Sequence, residues 1–155
     1  MSSTSESPLY STQTLDHLGL VSGIAQDLGL IGLIDERIAC DPKSRISYGQ
    51  VVLGMLLNGL GFTSRPMYLS PQFFANKPLD LLIGPGIEAS DLGDYQLGKT
   101  LDAIHEYGCS KLFEELGSAI FLQEGLSTRV GHYDTTSVSV HGKKYESEEG
   151  AIELT

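Results

Sequence analysis

An aspartate inside a strand-like segment is the residue of this 155-residue sequence with the clearest potential for chemistry. The segment from Val130 to Val140 is rich in β-branched residues and alternates with a period of two, which predicts a β-strand with Asp134 on one face. Aspartate is normally depleted from strands. Asp134 is therefore expected to face solvent, to be satisfied by neighbouring hydroxyl groups or to bind a hard cation, and the spacing alone leaves all three roles open.

Other polar residues near Asp134 give weaker signals. His132 would lie on the same strand face and could join a metal site, but His-x-Asp is a weak pattern that is better explained by a histidine with ordinary hydrogen bonds. Glu146, Glu148 and Glu149 form an acidic run that is typical of a solvated loop. Only Asp134 is therefore a candidate catalytic and metal-binding residue.

Most of the chain from residue 20 to residue 126 has helical periodicity. The four-residue spacing of Leu20 and Ile24 predicts the apolar face of a first helix. Gly29 permits a turn after that helix, and Pro42 is expected to stop its continuation because proline disfavours a helical residue before it.

The next helix is expected to lie at the centre of the core. Ser47 with Gln50 fits a capping box, and the helix that it opens is apolar nearly all round as far as Leu60. The same helix could belong to a helix-turn-helix-like unit that reads DNA, but core building is favoured, since reading helices expose polar side chains toward the bases. The basic residues clustered near this helix are Arg37, Lys43, Arg45 and Arg65.

Short helices and turns are expected between residues 62 and 86, where prolines alternate with aromatic residues. Two longer amphipathic helices should follow, each with a polar cap and a glycine stop. The predicted aromatic anchors are Tyr68, Phe73 and Phe74, and the predicted caps and stops are Asp94 with Gly108 and Ser110 with Gly125.

The sequence predicts a mainly α protein that ends in an incomplete β-hairpin. We expect a disordered tail at residues 1–11, a helical domain of about five to seven helices at residues 12–127, and two strand-like runs at residues 128–155. The second run begins at Ala151 and stops as it starts, and a two-stranded hairpin is marginal by itself. This pattern is typical of a truncated reading frame or a fragment.

The charge balance restricts the partners. A net charge of −10, with ten basic residues scattered along the chain, argues against broad binding of phosphates by this chain alone. No apolar stretch approaches the roughly 18 residues of a membrane span, and the amino terminus lacks the features of a signal peptide. We therefore expect a cytoplasmic protein without a membrane partner, in which Cys40 and Cys109 are reduced and buried or half-buried.

The segment His132–Gly142, with the sequence HYDTTSVSVHG, closely resembles the first catalytic strand of DDE-type insertion-sequence transposases. Stretches upstream are similar to one branch of that family, in which a helical domain of uncertain role precedes a ribonuclease H-like core. These stretches are TLDHLGL at 14–20, NGLGF at 58–62 with SRP at 64–66, LIGPGI at 82–87 and LGKTLD at 97–102.

The resemblance implies a reaction and a cofactor. Family members use two aspartates and a glutamate to hold two Mg²⁺ or Mn²⁺ ions, which activate a water or a 3′-hydroxyl for in-line displacement at a phosphodiester. Asp134 matches the first of these acids, and residues 128–155 would then be the opening of the ribonuclease H-like α/β core. The implied partner is DNA at the ends of the insertion element, with a homo-oligomer as a further expectation.

The positions of the second and third acids have no match in this sequence. One carboxylate cannot clamp two metal ions, so we expect the chain alone to be catalytically incomplete and to bind the metal only weakly. The alternative is a helical module derived from a transposase that binds DNA or protein without catalysis.

Overall fold

The computed structural model describes residues 12–62 and 65–126, and this part of the chain is mainly helical and contains no strand. The mainly α prediction is confirmed for these residues. The predicted tail and the predicted hairpin at residues 128–155 lie outside them. Seven α-helices are present: α1 (Leu18–Asp27), α2 (Leu30–Asp35), α3 (Tyr48–Gly59), α4 (Ser70–Phe74), α5 (Leu79–Leu82), α6 (Asp94–Tyr107) and α7 (Cys109–Gln123).

Helix α3 is the centre of the fold, as its sequence predicts. Its amino terminus carries the expected capping box: the Ser47 hydroxyl accepts from the Gln50 backbone N–H at 3.2 Å, and the Gln50 side chain accepts from the Ser47 N–H at 2.9 Å. Val51, Leu53 and Leu57 are fully buried, and α1, α2 and α6 all pack against the helix. The hydrophobic burial of its side chains makes α3 the scaffold for the other elements.

Helices α1 and α2 form a bent pair along α3, joined at Gly29 in a left-handed conformation with φ of 65°. The predicted turn is confirmed, but the predicted apolar face is wrong at Leu20 and Ile24. Leu20 and Ile24 are 70% and 51% exposed, whereas Leu18, Ser22 and Ala25 face the core. The small residues allow α1 to approach closely enough for the Ser22 hydroxyl to donate to the Leu82 carbonyl at 2.6 Å.

Helix α2 ends at Asp35, earlier than the predicted stop at Pro42. Its contact with α3 depends on Gly49, because a Cβ atom there would collide with the Ile31 carbonyl oxygen. The Asp35 carboxylate accepts from the Gly49 backbone N–H at 2.7 Å. A free donor in the first turn of α3 is therefore satisfied by α2, and the two helices are fixed side by side.

The segment between α3 and α6 wraps over the core in short pieces, as predicted. It consists of 3₁₀ turns at Met67–Leu69 and Ala89–Leu92 with α4 and α5 between them. Phe73 and Phe74 are buried and meet edge to face with ring centroids 4.7 Å apart. They are the expected aromatic anchors, whereas Tyr68 is exposed and the prediction for it is wrong.

Helices α6 and α7 follow each other with Gly108 alone between them. Gly108 and Gly125 have φ of 102° and 60°, so the two predicted stops are confirmed. The predicted caps are wrong: Asp94 already lies in α6 and Ser110 in α7, and neither helix has a side-chain cap. Gly108 is both the carboxyl-terminal cap of α6 and the amino-terminal cap of α7, and glycine has no side chain with which to cap α7.

The core consists of two clusters. The larger cluster lies between α1, α3, the 65–92 segment and the start of α6, with Phe74 and Leu92 almost completely buried. The smaller cluster lies where α7 meets α2, α3 and α6, and it contains Ile34, Ile38, Tyr48 and Leu112. Of the two clusters, α7 therefore takes part in the second one only.

Candidate functional site

Asp134, the predicted catalytic and metal-binding residue, lies outside the described residues, as does His132. Its role stays a prediction from the sequence. Within residues 12–62 and 65–126, no group of three or more His, Cys, Asp or Glu side chains is arranged to hold a metal ion. The described part of the chain therefore offers surfaces and structural joints as its candidate sites.

The basic residues near α3 do not form a common patch. Arg37 donates to Glu115 at 3.0 Å, and Arg45 lies between the carboxylates of Glu88 at 3.4 Å and Asp91 at 3.5 Å. Arg65 follows the carboxyl end of α3, whereas Arg45 precedes its amino end, and a helix of 12 residues spans roughly 18 Å. Arg37 and Arg45 are therefore paired with carboxylates on other elements, and Arg45 and Arg65 lie at opposite ends of α3.

The burial of α3 also bears on its predicted role. A major-groove reader needs exposed polar side chains along one face, but the exposed side of α3 carries Leu56 and Leu60. Its one buried amide, Asn58, bonds to the protein backbone. The structure therefore supports the core-building interpretation of this helix.

Asn58 closes the turn that follows α3. Its side-chain oxygen accepts from the Arg65 backbone N–H at 2.9 Å, and its amide donates to the Arg65 carbonyl at 2.7 Å and to the Ser70 hydroxyl at 3.3 Å. The side chain is 5% exposed. These bonds satisfy buried polar groups on both sides and fix Arg65 against the end of the helix.

His17 joins the start of α1 to the end of α3. Its Nε2 lies 2.6 Å from the Leu60 carbonyl oxygen, and its ring centroid lies 4.1 Å from that of Phe62. Because a carbonyl oxygen only accepts, this nitrogen carries the proton and donates. The stretches 14–20 and 58–62 therefore meet at one joint, which also includes the bonds between Asn58 and Arg65.

A hydrogen-bonded triad attaches α7 to α2 and α6. Glu115 of α7 accepts from the Tyr107 hydroxyl at 2.7 Å and from Arg37 at 3.0 Å, and Arg37 also donates to the Leu33 carbonyl at 2.6 Å. The Tyr107 hydrogen bond, with Arg37 and Lys111 nearby, holds the pKa of Glu115 below its ordinary value. The same bond to Glu115 raises the pKa of Tyr107.

Sequence reasoning did not find these joints. The signal for Asn58 was present, since it is the one amide within an otherwise apolar stretch of α3. The triad gave no local signal, because Arg37 and Glu115 are 78 positions apart. Chemically, the joints hold the backbone and the helices in place.

The two cysteines are unpaired. Cys40 is half-buried beside the Ile46 carbonyl, as expected, but Cys109 is exposed at the start of α7, so the prediction for it is wrong. No helix in the described ranges is both long enough and apolar enough to cross a membrane.

Comparison with known proteins identifies a family but no activity. No curated protein and no solved structure matches the chain. Residues 10–118 match the family described as a domain of unknown function, DUF4277. This match includes all of α1 to α6 and more than half of α7. The chain therefore belongs to the DUF4277 family.

Proposed function

We propose that this chain is the amino-terminal part of a DDE-type DNA transposase. The complete transposase, called the parent enzyme below, performs metal-dependent phosphodiester cleavage and strand transfer. The observation that carries the proposal is the segment 132–142, which resembles the first catalytic strand of these enzymes and contains Asp134. It follows a helical domain that contains four further stretches similar to the same branch of transposases.

The packing of the helical domain supports the resemblance. The stretches 14–20 and 58–66 are far apart in sequence, yet they meet where His17 bonds to the Leu60 carbonyl and contacts Phe62. Within the same joint, Asn58 binds the backbone of Arg65. A chance similarity has no physical reason to select two stretches that pack on each other, whereas a shared fold does.

The stretch 82–87 also has a structural role. Leu82 is fully buried, and its carbonyl accepts from the Ser22 hydroxyl of α1. Gly84 and Gly86 have positive φ, which glycine adopts without the steric cost of a Cβ atom. The residue types that carry the resemblance are therefore those that this fold requires.

In the proposed parent enzyme, Asp134 is the first of the three acids that hold Mg²⁺ or Mn²⁺. The bound metal supplies charge stabilisation at the phosphodiester and lowers the pKa of an attacking water or hydroxyl. A carboxylate on a strand suits this role because catalysis needs a ligand fixed within a fraction of an ångström. The second and third acids must come from elsewhere in the parent, so the 155 residues alone are catalytically incomplete.

The genomic DNA that follows the coding sequence tests this proposal. Translation in three frames is expected to reveal further strands with an aspartate and a glutamate in the family's order, and inverted repeats are expected to flank the whole element. Joining the frames by site-directed repair should give metal-dependent cleavage of the element's ends, which Asp134→Ala abolishes. An unrelated gene with no such remnant would contradict the proposal.

A second candidate function is a non-catalytic helical module, and the exposed apolar side chains of α1, α3 and α7 favour a protein partner for it over DNA. Such a module would compete with an intact transposase for its subunits. An excess of this chain should then lower transposition by an intact relative, and the chain with Asp134→Ala should do so equally. Unchanged transposition at high expression of the chain would contradict the module.

A further inference from the structure

Helix α7 has a second apolar row, on the side that does not pack on the domain. Phe113, Gly117, Ile120 and Phe121 follow each other at helical spacing, so they lie on one side of the helix. Leu112 and Leu116 lie on the neighbouring side, roughly 100° round the helix axis from the middle of the row, in the cluster that attaches α7 to the core. Phe113 is 78% exposed and Phe121 is 44% exposed.

This outer row is symmetric about Gly117. A phenylalanine lies one helical turn before the glycine, and another lies one turn after it. A Cβ atom at Gly117 would meet no heavy atom within 4 Å, so the domain itself gives no packing reason for a glycine there. A missing side chain between two exposed aromatic rings permits the close approach of another helix backbone.

A two-fold axis through Gly117 would make the row complementary to itself. In an antiparallel pair of α7 helices, Phe113 of one copy lies opposite Phe121 of the other, and this contact occurs twice. The backbones approach at the two Gly117 residues, and the aromatic rings fill the space on either side. The apolar row is then buried along its whole length.

The charges favour the same orientation. Glu124 continues the outer row at the carboxyl end of α7, and the amino end of α7 has no side-chain cap. An antiparallel pair places the Glu124 carboxylate of each copy beside the uncapped N–H groups of the other, where negative charge is favoured. A parallel pair would instead bring the two Glu124 carboxylates together.

We propose that α7 is the dimerisation helix of this protein, and that its partner is the antiparallel α7 of a second copy, with the axis at Gly117. The proposal goes beyond the proposed function and does not depend on it. It rests on the symmetric spacing of the two phenylalanines, on the open Gly117 between them, and on the position of Glu124.

Disulfide trapping in the full chain tests the position of the axis. In a background with Cys40→Ala and Cys109→Ser, the substitution Gly117→Cys is expected to give a covalent dimer under mild oxidation, because the two residues face each other across the axis. Ser118→Cys is the matched control. Ser118 is exposed, but it is the residue after Gly117, so its side chain is turned by roughly 100° about the helix axis away from Gly117. The control is expected to cross-link at least tenfold more slowly, and equal rates would overturn the proposal.

Mixed cross-linking tests the orientation. When chains with Phe113→Cys and chains with Phe121→Cys are oxidised together, the antiparallel pair predicts mainly the mixed disulfide. A parallel pair predicts mainly cross-links between identical chains, which would overturn the proposal. The native cysteines are replaced as before, so each chain carries a single thiol.

Sedimentation of the full chain without engineered cysteines tests the dimer itself. We expect a concentration-dependent dimer that Phe113→Asp converts to a monomer with unchanged helical circular dichroism. Leu122→Asp should leave the dimer intact, because Leu122 is exposed on a different side of α7. A full chain that stays monomeric at all concentrations would overturn the proposal. One cause of that result would be that residues 127–155 of the same chain cover the outer row and leave no surface for a second copy.

Discussion

At the scale of single residues, Asn58 is a buried polar side chain in an apolar helix. Its amide and its side-chain oxygen both bond to the Arg65 backbone, in a site that is almost closed to solvent. Truncation to Asn58→Ala leaves these backbone groups unsatisfied, and we expect it to lower the free energy of unfolding by about 2 kcal/mol. Urea denaturation followed by circular dichroism measures this change.

Ser70→Ala is the matched control for Asn58. The Ser70 hydroxyl is buried at the same joint but accepts only one long bond from the Asn58 amide, at 3.3 Å. We expect its removal to cost about 1 kcal/mol or less. A loss from Ser70→Ala equal to that from Asn58→Ala would show that burial, and not the bonds to Arg65, determines the effect.

The triad of Tyr107, Glu115 and Arg37 gives a prediction in pH. Because the pKa of Glu115 is lowered in the folded state, its contribution to stability is complete above its ordinary value of 4.5 and is lost as the pH falls through the lower folded value. The Tyr107 hydrogen bond is the largest cause of this shift. Tyr107→Phe should therefore destabilise the protein at neutral pH, and the difference from the unmodified protein should shrink below pH 4.5.

Thermal unfolding of the two proteins between neutral and acidic pH measures this difference. The Tyr107 hydroxyl depends on pH in the opposite sense, because its pKa is raised in the folded state. The contribution of the hydroxyl to stability is therefore present below the ordinary pKa of 10.0 and is lost at higher pH. The two proteins should therefore also converge in strongly alkaline solution. A difference that stays constant across the whole range would exclude the hydrogen bond as its source.

At the scale of the helices, the sequence predicts where elements begin and end better than which sides they bury. The capping box of Ser47 and the glycine stops depend on neighbouring residues, and the structure confirms them. The buried side of α1 depends on a distant partner, the Leu82 carbonyl, which selects Ser22 for the core while Ile24 stays exposed. Hydropathy alone ranks these two residues in the opposite order.

The contact between α2 and α3 can be tested at Gly49. A Cβ atom there would collide with the Ile31 carbonyl oxygen, which is backbone and cannot rotate away. We therefore expect Gly49→Ala to lower the free energy of unfolding by about 1–3 kcal/mol, because the helices must separate. Denaturant titration measures the loss.

Gly59→Ala is the control in the same helix. A Cβ atom at Gly59 would meet nothing within 4 Å, so alanine adds helix propensity without a clash. We expect it to be neutral or to stabilise the protein by up to about 1 kcal/mol. A similar loss of unfolding free energy from both substitutions would show that α3 does not tolerate alanine at either glycine, and that the contact with Ile31 is not the cause.

At the scale of the whole molecule, the candidate sites differ in how far the sequence could predict them. Asp134 is a prediction from the sequence alone, made because an aspartate in a strand-like pattern breaks the local rule and because the resemblance implies a role for it. The ion pairs of the basic residues near α3 were not predicted, because the partners of Arg37 and Arg45 lie far along the chain and only the folded structure brings them into contact. The sequence predicts features that depend on neighbouring residues, whereas ion pairs between distant elements can be identified only in the folded structure.

The charge of the folded domain gives a last prediction, about DNA. Residues 12–126 contain fourteen acidic and seven basic residues, and Arg37, Arg45 and Lys77 each lie against carboxylates. Binding to duplex DNA gains its affinity from cations that replace counterions, at a slope of about 0.9 per phosphate contact in a plot of log affinity against log salt. We therefore expect the chain to bind random duplex DNA more weakly than about 10⁻⁴ M, even at low salt.

Fluorescence anisotropy with a labelled duplex, titrated at several salt concentrations, measures both the affinity and the slope. Glu88→Gln with Asp91→Asn frees Arg45 from its carboxylates and serves as a control for the response of the assay. The double variant should steepen the slope by at most about 0.9, the value for one phosphate contact, because a single arginine is released. Micromolar binding by the unmodified chain with a steep slope would contradict this prediction and would favour direct contact of the helical domain with DNA. The excess of acidic residues argues for the opposite outcome, in which the helical domain does not contact DNA.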